Sequence, residues 1–79
     1  MNATNTQAKA RMAVADEMRG LLAKSNKRPS DLARHMGLRP NTVSDRFTGK
    51  QPFDTDYFTA IADLTGTPFS DLFTHLNIP

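Results

Sequence analysis

The chain has 79 residues, 38% of them hydrophobic and 23% charged, the composition of one small globular domain with no room for a catalytic domain beside a regulatory one. It has no cysteine, which excludes disulfides and thiolate metal sites, and no apolar run approaches the roughly 18 residues of a membrane span. The net charge of +2 is unevenly spread: residues 1–50 hold ten bases and four acids (net +6), and residues 51–79 hold four acids and no base (net −4). A basic segment joined to an acidic one points to a polyanion partner for one face. The first residues, Met-Asn-Ala-Thr-Asn-Thr-Gln, carry neither the basic nor the apolar part of a signal peptide, so the expected compartment is the cytoplasm.

Residues 1–6 are expected to be a disordered tail, and residues 7–79 a single all-α domain of five helices. The first helix is predicted over Gln7–Lys24 with Thr6 as its cap. Val14, Met18, Leu21 and Leu22 form its apolar stripe. Gly20 inside it suggests close approach of another helix. Ser25–Arg28 is a turn. The second helix runs from Pro29 or Ser30 to Met36, with proline suited to a first helical position and Gly37 supplying the positive φ that ends it. The third runs from Pro40 to Thr48, closed by Gly49.

The fourth helix, Thr55–Thr65, has the clearest entry signal. Asp54 is its cap, and Phe53 and Phe58 flank that cap as a hydrophobic staple. Phe58, Ile61, Ala62 and Thr65 are predicted to face inward, with Tyr57 and Leu64 on the flanks. A fifth helix is predicted from Pro68, capped by Thr67, with Phe69, Leu72, Phe73 and Leu76 in one stripe. Phe58, Phe69 and Phe73 are expected to complete the core. The four methionines read as core filler. No segment alternates apolar and polar residues in period two.

Helices two and three are short and joined by Gly37-Leu38-Arg39, as a helix-turn-helix requires. The run Leu32-Ala33-Arg34-His35-Met36-Gly37-Leu38, followed by Asn41-Thr42-Val43-Ser44 and Phe47-Thr48-Gly49-Lys50, resembles the Cro/repressor-type helix-turn-helix family of phage repressors, Cro proteins and small bacterial regulators. The continuation Pro52-Phe53-Asp54 and Ile61–Pro68 is similar to the fourth and fifth helices of such domains. The resemblance covers about residues 10–76. It implies a compact five-helix, lambda-repressor-like domain in which Ala33 packs against Val43.

Two departures stand out. Arg46 occupies a place that is aliphatic in the family's motif. Phe47 is expected to supply the apolar volume, while the Arg46 stem packs and its guanidinium reaches a phosphate or an acid such as Glu17. Pro29 stands where the family often has a phosphate-binding glutamine, so Ser30 or the helix-two N–H groups would take that part. The absence of bases before Lys9 argues against a basic arm embracing the DNA groove.

The resemblance implies that the start and outer face of helix three enter the major groove of double-stranded DNA. The candidate base contacts are Arg39, Asn41, Ser44 and Asp45. Asn41 carries the donor and acceptor that match adenine, Asp45 can accept from cytosine, and Arg39 suits guanine or a phosphate. The candidate phosphate contacts are Lys27, Arg28, Ser30, Thr48, Lys50 and Gln51, which position the protein without reading sequence. Asp45 has an alternative reading as partner of a nearby arginine. Arg34 and Lys24 fit a phosphate contact or a solvated face equally.

No catalytic constellation, cofactor or metal site is expected. His35 and His75 have no neighbouring ligand spacing, and Asp54 and Asp56 read as cap and first-turn acids. Gly49-Lys50 lacks the upstream glycine of a phosphate-binding loop. The expected function is a sequence-specific transcriptional regulator, a phage-type Cro-like protein or repressor that acts by occupying operators. A weak or DNA-induced homodimer through the aromatic C-terminal segment would pair half-sites. The rival is a non-enzymatic protein–protein adaptor, antirepressor or antitoxin-like, on the same fold.

Overall fold

The computed structural model describes the backbone of residues 3–73 and the side chains of residues 6–73. Four α-helices, α1 (Ala3–Lys24), α2 (Pro29–Met36), α3 (Pro40–Phe47) and α4 (Thr55–Thr65), are followed by a 3-10 helix at Phe69–Phe73, with no strand among the described residues. The all-α class read from the sequence holds. The helix starting at Ala3 takes in residues expected to be a tail, so Thr6 is not the residue before its first turn.

Each helix contributes two or three side chains to one core: Met18 and Leu22 from α1, Leu32 and Ala33 from α2, Val43 and Phe47 from α3, Tyr57, Ala60 and Ile61 from α4, and Leu72 beyond them. α2 packs on α3, and both α1 and α4 pack against the pair that α2 and α3 form or against one of its members. Ala15 is also buried, while Val14 and Leu21 lie at the core's edge. Burying each large apolar side chain of this set contributes roughly 1.5–3 kcal/mol, which makes the interior the main source of stability.

The chain's punctuation works as its local chemistry dictates. The Asp54 carboxylate accepts from the Tyr57 N–H at 3.1 Å, capping α4, and the Phe53 and Phe58 rings stack with centroids 5.9 Å apart. Gly37, at φ +69°, closes α2 and lets the chain turn into α3. At the start of α2 the Asp31 carboxylate accepts from the Arg28 N–H at 2.8 Å and pairs with Arg34 at 3.2 Å. The Ser25 hydroxyl donates to the Thr65 carbonyl at 3.3 Å and ties the α1–α2 turn to the end of α4.

Four expectations are corrected. Gly20 is exposed and a Cβ there would meet nothing within 4 Å, so no helix crosses at that point. The inner stripe of α4 is Tyr57, Ala60 and Ile61, with Phe58, Ala62 and Thr65 only half-buried. Phe58 instead meets Phe73, with centroids 5.1 Å apart. The predicted fifth helix is a five-residue 3-10 turn that buries Leu72 and leaves Phe69 and Phe73 exposed at 43% and 39%. A single short turn relaxes to 3-10 pairing, as the Asp71 N–H to Pro68 carbonyl bond at 2.9 Å illustrates. Leu76 and His75 lie outside the described residues. Among the methionines, Met18 is core and Met36 is half-buried, but Met12 is exposed.

Candidate functional site

α3 has three distinct faces. Its inner face, Val43 and Phe47, is 0% and 2% exposed. Its outer face presents Asn41, Ser44, Asp45 and Thr48, spaced so that all four lie on one side of a helix. Asn41, Ser44 and Thr48 are exposed, and Asp45 is half-buried. Burying Val43 and Phe47 therefore fixes by phase which side chains point outward.

The side chains on that outer face differ in how far they are already committed. Among the described residues, Asn41 and Ser44 make no side-chain hydrogen bond. Thr48 donates its hydroxyl back to the carbonyls of Ser44 at 3.1 Å and Asp45 at 3.4 Å, which fastens the last turn. Asp45 forms no ion pair among the described residues, so its reading as partner of a nearby arginine is not what the side chains do.

The cationic candidates sit at the two ends of this face. Arg39 is exposed on extended backbone immediately before α3. Lys50 and Gln51 are exposed just after it, and their N–H groups both donate to the Asp45 carbonyl, at 2.9 Å and 3.1 Å. That pair of hydrogen bonds to one carbonyl folds the exit loop back onto the helix end. Arg39, Asn41, Ser44, Asp45, Thr48, Lys50 and Gln51 thus form one contiguous set on α3 and its ends. Lys27, Arg28 and Ser30 are exposed but belong to the α1–α2 turn and the first turn of α2. Arg34 is engaged with Asp31 yet remains largely exposed.

The α1 helix secures the far end of α3. Arg19 donates to the Phe47 carbonyl at 2.9 Å and lies over the Phe47 ring at 5.5 Å. Arg11 donates to the Lys50 carbonyl at 3.4 Å. Gly49, at φ +81°, passes so close to α1 that a Cβ would sit 2.8 Å from the Met12 sulfur.

The third face of α3, Thr42 and Arg46, borders an open groove of about 600 Å³ between α2, α3 and α4. Met36, Leu38 and Ala60 give it apolar wall, and Asp54, Asp56 and Asp63 give it an acidic edge. Here the expected acid partner of Arg46 is corrected. Its guanidinium forms no ion pair with Glu17 or any other acid among the described residues. It lies over the Tyr57 ring at 4.8 Å and donates to the Thr42 carbonyl at 3.2 Å. The expected substitution of apolar volume by Phe47 does occur, because Phe47 is in the core. The Arg46 Nε and the Tyr57 hydroxyl are both buried with no hydrogen-bond partner among the described residues. Burial pushes the Tyr57 phenol above its ordinary value, the Arg46 charge opposes that, and the Asp54 and Asp45 carboxylates reinforce it.

The Arg19–Phe47 and Arg46–Tyr57 contacts had no local signal in the sequence. Their partners are 28 and 11 positions away, beyond the reach of any helical spacing. No protein-family model, curated protein or solved structure matches this chain.

Proposed function

We propose that the chain is a sequence-specific, double-stranded DNA-binding transcriptional regulator, with α2 and α3 as a helix-turn-helix and α3 as the element that enters the major groove. The observation that carries this is the outer face of α3: exposed Asn41 and Ser44 without side-chain partners among the described residues, bracketed by exposed Arg39 and Lys50, opposite a face buried in the core. Uncommitted polar groups on a rigid helix are what base-edge recognition needs, and cations at its ends suit the backbone phosphates. Asp45 is the single acid among the four outer-face residues, and Asp54, Asp56 and Asp63 edge the groove beside Arg46 instead, so their repulsion of phosphate is directed away from this face.

The resemblance to the Cro/repressor-type family supports the same reading and makes a phage-type Cro-like protein or repressor the concrete form of it. Action by occupying an operator and excluding competitors needs nothing beyond this one domain. Phe69 and Phe73 offer an exposed apolar pair for a weak or DNA-induced homodimer. The same pair, with the acids of α4, favours the second reading, a protein–protein adaptor whose docking face is the C-terminal half.

Selection from randomised duplex DNA followed by sequencing of the bound pool tests the proposal. An enriched motif that is lost in Asn41→Ala and partly retained in Lys50→Ala is the expected result. Binding without any motif overturns sequence specificity, and no binding at low salt transfers the proposal to the adaptor.

A further inference from the structure

Arg46 is one of ten bases in the basic segment, and on charge alone it belongs with the DNA contacts. Its geometry says otherwise. By helical phase it stands roughly 140° from Asn41 and 100° from Asp45 around α3. Its side chain is half-buried and its Nε is wholly so. The groove it lines is edged by Asp54, Asp56 and Asp63, none of which has an ion-pair partner among the described residues. Three carboxylates around that opening repel a phosphate.

What Arg46 does touch links two helices. Its guanidinium covers the ring of Tyr57, a residue of α4 that is 3% exposed, while one of its nitrogens holds the Thr42 carbonyl of α3. Tyr57 is in turn held edge-on by Phe53, with centroids 5.8 Å apart, and Phe53 meets Phe47 of α3 at 5.0 Å. The ring stack therefore joins α3 to α4 at two points, one through Phe47 and one through Arg46. The planar guanidinium suits the ring face as an ammonium does not.

We propose that Arg46 is a positioning residue, which fixes the presentation of α3 through Tyr57 and the Thr42 carbonyl and makes no contact with DNA. This rests on the DNA-binding reading of α3. The positive charges available to phosphates on and around α3 then include those of Arg39, Lys50, Lys27 and Arg28.

The test compares wild type, Arg46→Met and Arg46→Lys in duplex-DNA binding titrated over salt, with amide exchange of α3 measured on the free proteins. Methionine keeps the apolar stem without charge, and lysine keeps the charge without the planar stack. A positioning role predicts that both variants bind about tenfold more weakly, the scale of one desolvated cation–π contact. It predicts an unchanged salt slope, and faster exchange at α3 amides than at α1 amides. A slope reduced by about 0.9 in Arg46→Met and restored in Arg46→Lys identifies a phosphate contact and overturns the proposal. Wild-type affinity in both variants overturns it too. Failure of the wild type to bind duplex at low salt sinks the DNA reading instead. The exchange data then judge the link between α3 and α4 alone, and unchanged α3 exchange refutes it.

Discussion

Arg19 of α1 holds Phe47 of α3 twice over, by a 2.9 Å hydrogen bond to its carbonyl and by a guanidinium 5.5 Å above its ring. The carbonyl belongs to the last turn of α3, where no further helical N–H arrives to satisfy it. A cation there also meets the negative end of the helix dipole. Arg19 therefore stabilises the end of the helix that the functional proposal depends on.

Arg19→Met should destabilise the fold by about 1 kcal/mol, since it removes the hydrogen bond to the Phe47 carbonyl, the ring contact and an exposed 3.4 Å ion pair with Asp16, all on a half-exposed side chain. In a domain of this size that is a drop of about 4–8 °C in Tm. Thermal unfolding followed by circular dichroism checks it, and an unchanged Tm contradicts the contact's importance.

Gly49→Ala carries two penalties, the left-handed backbone at φ +81° and a Cβ 2.8 Å from the Met12 sulfur. The Met12 side chain is flexible and exposed, so it can swing aside, whereas the backbone cannot change sign without rebuilding the loop. The backbone term should dominate at about 1–2 kcal/mol. Gly49→Asn should cost less than Gly49→Ala, because asparagine tolerates this conformation. Adding Met12→Ala to Gly49→Ala should recover little. Denaturant midpoints measure all three, and full recovery in the double variant would show that the clash was the larger effect.

Tyr57→Phe removes a buried hydroxyl that has no hydrogen-bond partner among the described residues, so it should leave stability unchanged or raise it. The ring, and with it the Arg46 stack, stays. A loss of more than about 1 kcal/mol in chemical denaturation would mean that the hydroxyl makes a bond after all.

Asp31 supplies a pH dependence. The Arg28 N–H holds its carboxyl below the ordinary 3.8, with Arg34, Lys27 and Arg28 charges adding to the effect and desolvation opposing it. A pKa depressed in the folded state contributes stability that is present above the unfolded value and is lost as pH falls through the folded one. Tm should therefore fall more steeply with acid below about pH 4 in the wild type than in Asp31→Asn. Scans from neutral pH to strong acid compare the two, and parallel curves would remove Asp31 from the account.

The parts of the fold that were legible in the sequence are the ones set by neighbours along the chain. Asp54 caps its own helix three residues on, the Phe53–Phe58 staple spans that same cap, and Gly37 acts where it stands. The phase of α4 was misread by one position because Tyr57 and Phe58 are adjacent aromatics, and only the rings of Phe47, Phe53 and Phe73 decide which of them turns inward. The outer face of α3 followed from Val43 and Phe47, and the structure keeps those four residues on one side. Arg46 was not legible, because its partner Tyr57 lies on another helix and a lone arginine has no periodicity to read.

The most direct test of the central claim is amide chemical-shift mapping of the whole chain as duplex DNA is added at low salt. The account predicts that shifts concentrate in residues 39–51 and 27–30, weaken with added salt, and spare Asp56–Asp63 on α4. Shifts centred on residues 56–73, or none at all, would contradict a DNA interface on α3.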